Sequence, residues 1–366
     1  MDGAAVSSNL LTSSRLKTAR ACARLHHNQY NLGYRPLFDG DAPKFGTLFH
    51  AGLEAWWRAL MAGASADDAL VAALAAIAAE ADPFERAKAT ALLTGYHFRW
   101  IEEPYEVLGV EVEFAATLLN PETGAASRTW RLGGKLDAVV RDLRDGLVRL
   151  VEHKTSSEDI SSGSEYWRRL RMDGQVSVYY EGARSLGFEV AGCVYDVIGK
   201  PALRPGAIPL VDDEGLKVVH DAAGQRVRTK DGKKWRQTGD TELGYVLQTR
   251  PETPDEFLGR LTEAIAADPA RYFARGDVVR LEAEMKEALG DAWQLGQIIR
   301  ANELADRHPR NPDACARYGK TCAFFDVCAG QASLDDTTRF IRSDNVHPEL
   351  AGAAVGATPK EEGQAS

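Results

Sequence analysis

Two β-rich runs, residues 127 to 141 and 146 to 154, meet at Asp145-Gly146, and a pair of strands folded about one tight turn constrains this chain more than any other feature. Asp-Gly is a hairpin dipeptide because such turns need backbone conformations that glycine adopts readily. Turning the chain near 144 to 146 sets Asp137 opposite Glu152 or one diagonal away, and side-chain alternation puts the two on one face. Lys154 joins them, being two residues from Glu152, while His153 points to the other face. Glu-x-Lys alone is most often a solvated strand pair worth little energetically. The upstream acid at the matching cross-strand position raises a chemical reading above that bland one.

Charge dictates what such a patch can do. A phosphodiester repels its nucleophile, and carboxylates holding one or two divalent cations orient water, lower its pKa and screen developing charge. Hard oxygen ligands suit Mg²⁺ or Mn²⁺. Lys154 is placed to polarise water or neutralise a pentavalent phosphate. Two helices bring further candidates. Phe45, Leu48, Phe49, Leu53, Trp56, Trp57 and Leu60 recur at helical spacing, so residues 44 to 62 read as a buried amphipathic helix, with His50 off its densest apolar stripe and Glu54 one turn later. By itself His50 reads as a hydrogen-bonded surface histidine. Residues 164 to 186 read as one helix, on which Gln175 and Tyr179, four apart, share a face.

In this order and with these gaps the chain resembles the PD-(D/E)XK nuclease superfamily, specifically its RecB-like exonuclease branch, from about residue 8 to residue 329. Asp137 matches the first acid of the motif, Glu152-His153-Lys154 its (D/E)-x-K, and Gln175 with Tyr179 the Gln-x-x-x-Tyr helix motif of that branch. His50 matches an upstream helix histidine that contributes a metal ligand. Leu136 stands where the family name has proline. The resemblance implies a restriction-endonuclease-like α/β fold, a central mixed sheet flanked by helices, with helical N- and C-terminal elaborations. It implies Mg²⁺- or Mn²⁺-dependent cleavage of single- or double-stranded DNA, exonucleolytic, in bacterial or phage recombination or repair, with a helicase or recombinase as a partner. Asp137, Glu152 and His50 would hold metal, Lys154 would assist the water, and Gln175 with Tyr179 would orient substrate or Lys154.

Of the five cysteines, Cys315, Cys322 and Cys328 crowd one turn-rich segment and Cys22 stands near the start. An acid at position 2 and the lack of a long apolar run after it argue against a secretory leader and a membrane span, so a cytoplasmic chain with reduced thiols is expected. Clustered thiolates there bind metal more often than they pair. One subgroup of the RecB-like branch, including AddB-type helicase-nucleases and CRISPR-adaptation nucleases, holds a four-iron four-sulfur cluster with one N-terminal and three C-terminal cysteines. Cys22, Cys315, Cys322 and Cys328 match that arrangement, with a longer gap between Cys315 and Cys322 than the subgroup has. Zinc is the rival occupant, since it takes four thiolates at such spacings. Cys193, within the apolar run 191 to 198, reads as a buried small hydrophobe.

The net charge of −9 excludes a global field for DNA, so any binding face must be local. Two candidates exist: a basic hairpin of Arg226, Arg228, Lys230, Lys233, Lys234, Trp235 and Arg236 around Asp231-Gly232, and a group of Trp167, Arg168, Arg169 and Arg171 before Gln175. Each is weighed against a plain solvated surface. Along the chain we expect an N-terminal helical region (1–104) with helices at 8 to 31, 66 to 80 and 84 to 101, then a nuclease core (105–200). A basic insert (201–250), C-terminal helices at 254 to 275 and 277 to 300 with the cysteines (251–335), and a tail (336–366) disordered after about 350 complete it. Glu111 and Glu113 share a face of the strand at 105 to 118, from which they could approach the metal site, and a solvated face is the favoured reading. A non-catalytic DNA-binding or scaffold protein, and a zinc-binding interaction module, are the alternative functions.

Overall fold

The computed structural model describes residues 9–37, 41–80, 82–170, 172–317 and 320–350. In chain order its main elements are β1 (Leu10–Leu11), α1 (Ser13–Ala21), α2 (Asp41–Met61), α3 (Ala66–Ala76), α4 (Pro83–Trp100), β2 (Tyr105–Leu119), β3 (Ala126–Asp142) and β4 (Val148–Ser156). There follow α5 (Glu165–Leu170), α6 (Gly174–Ser185), β5 (Val190–Gly199), α7 (Pro254–Ala267), β6 (Phe273–Val278) and α8 (Glu282–Leu304).

One mixed six-stranded sheet organises the molecule. Strand β3 pairs along one edge with β2, antiparallel throughout. Its other edge is divided. Residues 138 to 141 pair antiparallel with β4, and Arg131 and Leu132 pair parallel with β1. Beyond β4 lie β5, parallel to it, and β6, antiparallel to β5. The β3–β4 hairpin closes through Asp142 and Leu147, with Gly146 at φ 78° supplying the left-handed residue that the turn needs.

Alternating side chains feed two apolar cores, one on each face of the sheet. One core joins α2, α3, α4 and α7 to Ala138, Val140, Val151 and Val194. The other joins α1, α6 and α8 to Leu136, Val139, Leu150 and Tyr195. Helix α2 buries Phe45, Phe49, Leu53, Trp56 and Trp57. At roughly 2 kcal/mol each, these side chains seat the helix that carries His50 with about 10 kcal/mol.

Four expected elements differ. The helix expected over 8 to 31 begins as strand β1, runs through α1 under the Thr12 cap, breaks at Cys22 in extended backbone (φ −164°, ψ 122°), and resumes over Ala23–His26 and a π turn, His27–Asn31. The helix expected over 164 to 186 is two helices. Asp173 restarts the second by accepting the Gln175 N–H at 2.9 Å, because an Asp in extended backbone offers helix N–H groups a better partner than the preceding turn does. The expected helices at 254 to 275 and 277 to 300 give way to α7, a short turn at Pro269–Arg271, edge strand β6, and α8. Gly276 makes β6 possible: a Cβ there would lie 2.5 Å from the Trp167 ring. Position 171 and the tail beyond 350 lie outside the described residues.

Candidate active site

The site lies where β3 parts from β4. Their ladder ends at Ala138 and Val151, so Asp137 and Glu152 face one another one step past the last pair. There the Asp137 carboxylate accepts the His153 backbone N–H at 2.8 Å, replacing a ladder bond with a side-chain one. Leu136 and Ala138, two residues apart, belong to opposite cores, so β3 turns over at Asp137. Val110 and Val112 on β2 do the same, and Glu111 between them has φ 53°. Such a conformation is strained for a non-glycine residue and persists only where the surroundings impose it.

These departures converge on a cavity of about 500 Å³ that contains Asp137, Glu152, Lys154, Gln175, Tyr179 and His50. Lys154 Nζ donates to Glu152 Oε1 and, at 3.0 Å, to Gln175 Oε1. The Gln175 amide in turn donates to Glu152 Oε1 at 2.7 Å and to the Tyr179 hydroxyl at 2.8 Å. The Gln-x-x-x-Tyr pair therefore orients the acid and the amine together. Burial pushes the Glu152 carboxyl up and Asp137 adds to the rise, while Lys154 opposes it. Burial works against the Lys154 ammonium, but Glu152 and Asp137 outweigh it and keep the amine charged. Burial lowers His50 against the pull of Asp137, which leaves a neutral imidazole.

Behind the site, the His153 ring faces the opposite core. Its Nδ1 sits 3.1 Å from Asp196, which also accepts from Tyr96 at 2.5 Å and from Arg275 at 3.3 Å. Burial pushes the Asp196 carboxyl up, but Arg275 and His153 outweigh it and hold it well below the usual range.

Glu111 and Glu113, expected to share a face, are separated. The Glu111 side chain is mostly buried, lines the cavity and pairs with Lys135, while Glu113 is exposed. Burial and then Asp137 raise the Glu111 carboxyl. Glu54 and Glu349 also line the cavity. Alternation along β2 gave no warning, because the strand reverses its faces at Glu111 itself. Cavity carboxylates at 54, 111, 137, 152 and 349 face lysines 135 and 154, an excess of acid that favours a cation. Glu152 Oε2 is buried with no hydrogen-bond partner, so the donor set has an oxygen to offer a hard divalent ion. Among the described residues, no group of three or more His, Cys, Asp or Glu stands at metal-holding distances.

The four cysteines expected to share a metal come into one region of the fold but do not reach metal-holding distances. Cys322 N–H donates to Cys315 O at 2.8 Å, and burial, with Cys22 and Cys315 among the further causes, raises the Cys322 thiol. Burial raises Cys328 too, with all three other thiols contributing. Cys315 and Cys328 line a cavity of about 720 Å³. All four are free thiols. The segments they join are held independently by Arg24 N to Pro309 O at 3.1 Å, Asn311 to Ala21 O at 2.8 Å, and pairing of Tyr34–Pro36 with Phe340–Arg342. Cys193 is wholly buried in the sheet, where burial raises its thiol.

The basic groups are less available than their composition suggests. The Arg226 and Arg228 guanidinium groups lie 4.4 and 4.0 Å from the Trp235 ring centroid, and Arg226 binds Asp212 at 2.6 Å. Base stacking on Trp235 would have to displace its own arginines. The hairpin itself forms, with Arg228 bridged to Trp235 and Gly232 in the turn, and exposes Lys230, Lys233 and Lys234. Arg236 lies over Tyr245. No residue of this hairpin lines the cavity that holds Asp137. Arg168 and Arg169 pair with Glu165 and Glu158, and Arg171 lies outside the described residues. Trp167 donates to Ile160 O at 2.8 Å and packs over Gly276, which is a structural role.

A split sheet edge carrying two opposed acids, a lysine and an orienting glutamine defines a nuclease-type hydrolase. The chain belongs to the PD-(D/E)XK nuclease superfamily, whose model matches residues 10–329. Members of that superfamily act on DNA and commonly use Mg²⁺ or Mn²⁺, which agrees with the donor set. No curated protein matches the chain. The solved structure of SSO0001 is similar over 71% of this chain and 76% of its own, at 12% identity and a TM-score of 0.24. Among the described residues, no helix is long and apolar enough to cross a membrane.

Proposed function

We propose that this protein is a Mg²⁺- or Mn²⁺-dependent deoxyribonuclease of the RecB-like branch that degrades DNA from its ends in recombination or repair. The observation that carries the reading is Glu152: a buried carboxylate with one unpartnered oxygen, beside Asp137, under a lysine held in place by Gln175. Asp137 and Glu152 would hold the metal, with His50 as a neutral nitrogen ligand from α2. When bound, the ion supplies an acidified water and a positive counter-charge to the scissile phosphate. Lys154, kept charged by its two acidic neighbours, would donate toward the attacking water or a phosphate oxygen. Gln175 and Tyr179 restrict the rotamers of Lys154 and Glu152, so the donor is aimed before substrate arrives.

We read Cys22, Cys315, Cys322 and Cys328 as ligands of a structural iron-sulfur cluster or zinc ion, supported by their one-plus-three order and by the contacts that hold the Cys22 segment against residues 309 and 311, and the thiols would have to draw in to bind it. Anaerobically purified protein with a broad visible band would choose iron-sulfur over zinc. The activity is tested with end-labelled and end-blocked DNA, in Mg²⁺, Mn²⁺ or chelator. Wild type should degrade DNA only with metal, and Lys154→Ala and Asp137→Ala should lose at least 100-fold in rate, about 2.7 kcal/mol of barrier. Equal degradation by wild type and both variants would refute the assignment.

A further inference from the structure

A second concavity, about 450 Å³, adjoins the catalytic cavity and shares Ser13 and Gln175 with it. One wall is the face of α1 bearing Ser13, Lys17 and Arg20, spaced i, i+4, i+7. Another wall is made by Tyr166 and Arg169 of α5 and by Met172 in the turn that follows it. Leu16, Val178 and Ala292 make an apolar floor.

We propose that this groove is a binding track for a single strand of DNA, which delivers a phosphate to Glu152 and Lys154. The inference rests on the nuclease reading above and deepens it by naming the substrate form. Three observations point the same way. First, Gln175 belongs to both cavities and touches both Lys154 and Glu152, so a polymer lying in the groove continues to the reactive groups.

Second, the charge left over in the groove is positive. Arg169 neutralises Glu158, and Asp173 is engaged by the Gln175 N–H and the Tyr195 hydroxyl. Lys17 has no ion-pair partner among the described residues, and Arg20 reaches only Asp291 at 3.9 Å with both groups exposed, a weak pair. Third, the groove offers apolar and aromatic surface where bases would lie. Met172 is 89% exposed, an unusual position for a methionine, and the half-buried Tyr166 ring stands beside it. Phosphates along the α1 rail and bases on the Tyr166 side is the division of labour that single-strand binding uses. Each cavity lies in the size range of a small-ligand pocket, roughly 300–1,000 Å³. Such a volume takes a nucleotide or two of a strand.

The test uses the full chain in EDTA, where binding is read without cleavage. Fluorescence anisotropy compares a labelled single-stranded 12-mer with its duplex, for wild type, Lys17→Glu/Arg20→Glu, and Met172→Asp as an independent variant on the other wall. Wild type should bind the single strand more tightly than the duplex. Both variants should weaken single-strand binding at least 10-fold, with thermal midpoints within about 2 °C of wild type because all three side chains are exposed. The charge reversal should also flatten the dependence of log K on log[salt] by about 1.4, or 0.7 per lost phosphate contact. Unchanged affinity and slope in both variants, equal or tighter binding of duplex, or no binding by wild type would each overturn the track. Failure of the nuclease reading shows separately, as absence of metal-dependent hydrolysis of DNA and of bis(p-nitrophenyl) phosphate by wild type. Folded groove variants should keep hydrolysing that small ester at the wild-type rate, since it needs no track.

Discussion

Asp196→Asn tests the polar network behind the site. Asp196 is wholly buried, and its carboxylate compensates the Arg275 guanidinium, whose side chain is only 9% exposed. Asparagine keeps the size and an oxygen for the Tyr96 hydroxyl but removes the charge. Taking one partner from a buried pair costs about 3–5 kcal/mol, because the other charge stays buried without compensation. The guanidinium also lies 4.0 Å from the Trp100 ring centroid, a contact that survives the substitution and favours the lower end, about 3 kcal/mol. For a chain of this length, at about 2.1 cal/mol/K per residue, unfolding entropy near the midpoint is about 0.75 kcal/mol/K, so Tm should fall by about 4 °C. Urea unfolding followed by both tryptophan fluorescence and far-UV circular dichroism gives the free energy if the two transitions coincide. A double variant, Asp196→Leu/Arg275→Met, removes both charges and should lose less stability than Asp196→Asn alone. A single variant within 1 kcal/mol of wild type, or a double variant at least as destabilised as Asp196→Asn, would refute the account.

Three further outcomes are expected. Gly276→Val should cost about 1–3 kcal/mol, read as a shifted urea midpoint, because its side chain meets Trp167 on an edge strand that cannot move freely. His26 accepts the Arg15 Nε–H at 3.0 Å, and burial lowers its pKa to about 3, so only the neutral ring fits the fold. The unfolded chain then binds the extra proton, and stability present above pH 6.5 is lost as pH falls toward 3, by about 2 kcal/mol at pH 5 from this residue. His26→Gln should flatten that loss between pH 7 and 5, although His27 and His308, also lowered first by burial, should keep part of it. Finally, if Glu152 holds the ion, Mn²⁺ at 100 times its Kd should raise wild-type stability by about 2.7 kcal/mol. Glu152→Gln should show no such gain in a thermal melt.

Local rules reached part of this architecture and missed the rest for identifiable reasons. The relation of Asp137, Glu152 and Lys154 follows from period-2 strands and one turn, and that of Gln175 and Tyr179 from the pitch of a helix. Both are short-range geometry. Strand β6 escaped because Phe273-Ala-Arg-Gly-Asp-Val278 carries few strand-forming residues. Its place is secured by Arg275 meeting Asp196 across 79 positions and by Trp167 covering Gly276, neither visible locally. Asp173-Gly174 is a legible helix start, masked by the apolar pattern that runs through it. Alternation groups Glu111 with Glu113 because it assumes an unbroken pleat, and the φ of 53° at Glu111 breaks the pleat at that residue.

That break and the split edge of β3 are one structural fact with a chemical consequence. In a continuous ladder, neighbouring carboxylates sit a strand spacing apart with their backbones mutually paired, and nothing draws them together. Because β3 pairs with β4 only from Ala138 onward, the His153 N–H has no ladder acceptor and Asp137 supplies one. The acid is thereby turned into the cleft toward Glu152 instead of standing upright on the sheet. Strand β1 then closes the lower half of the same edge, and its next residues, Thr12 and Ser13, start α1 at the rim of the cavity. The strand that completes the sheet therefore also delivers the helix face that walls the adjoining groove. On this argument, restoring regular pairing past Ala138 would close the cleft, so the unpaired step in the sheet is a requirement of the site.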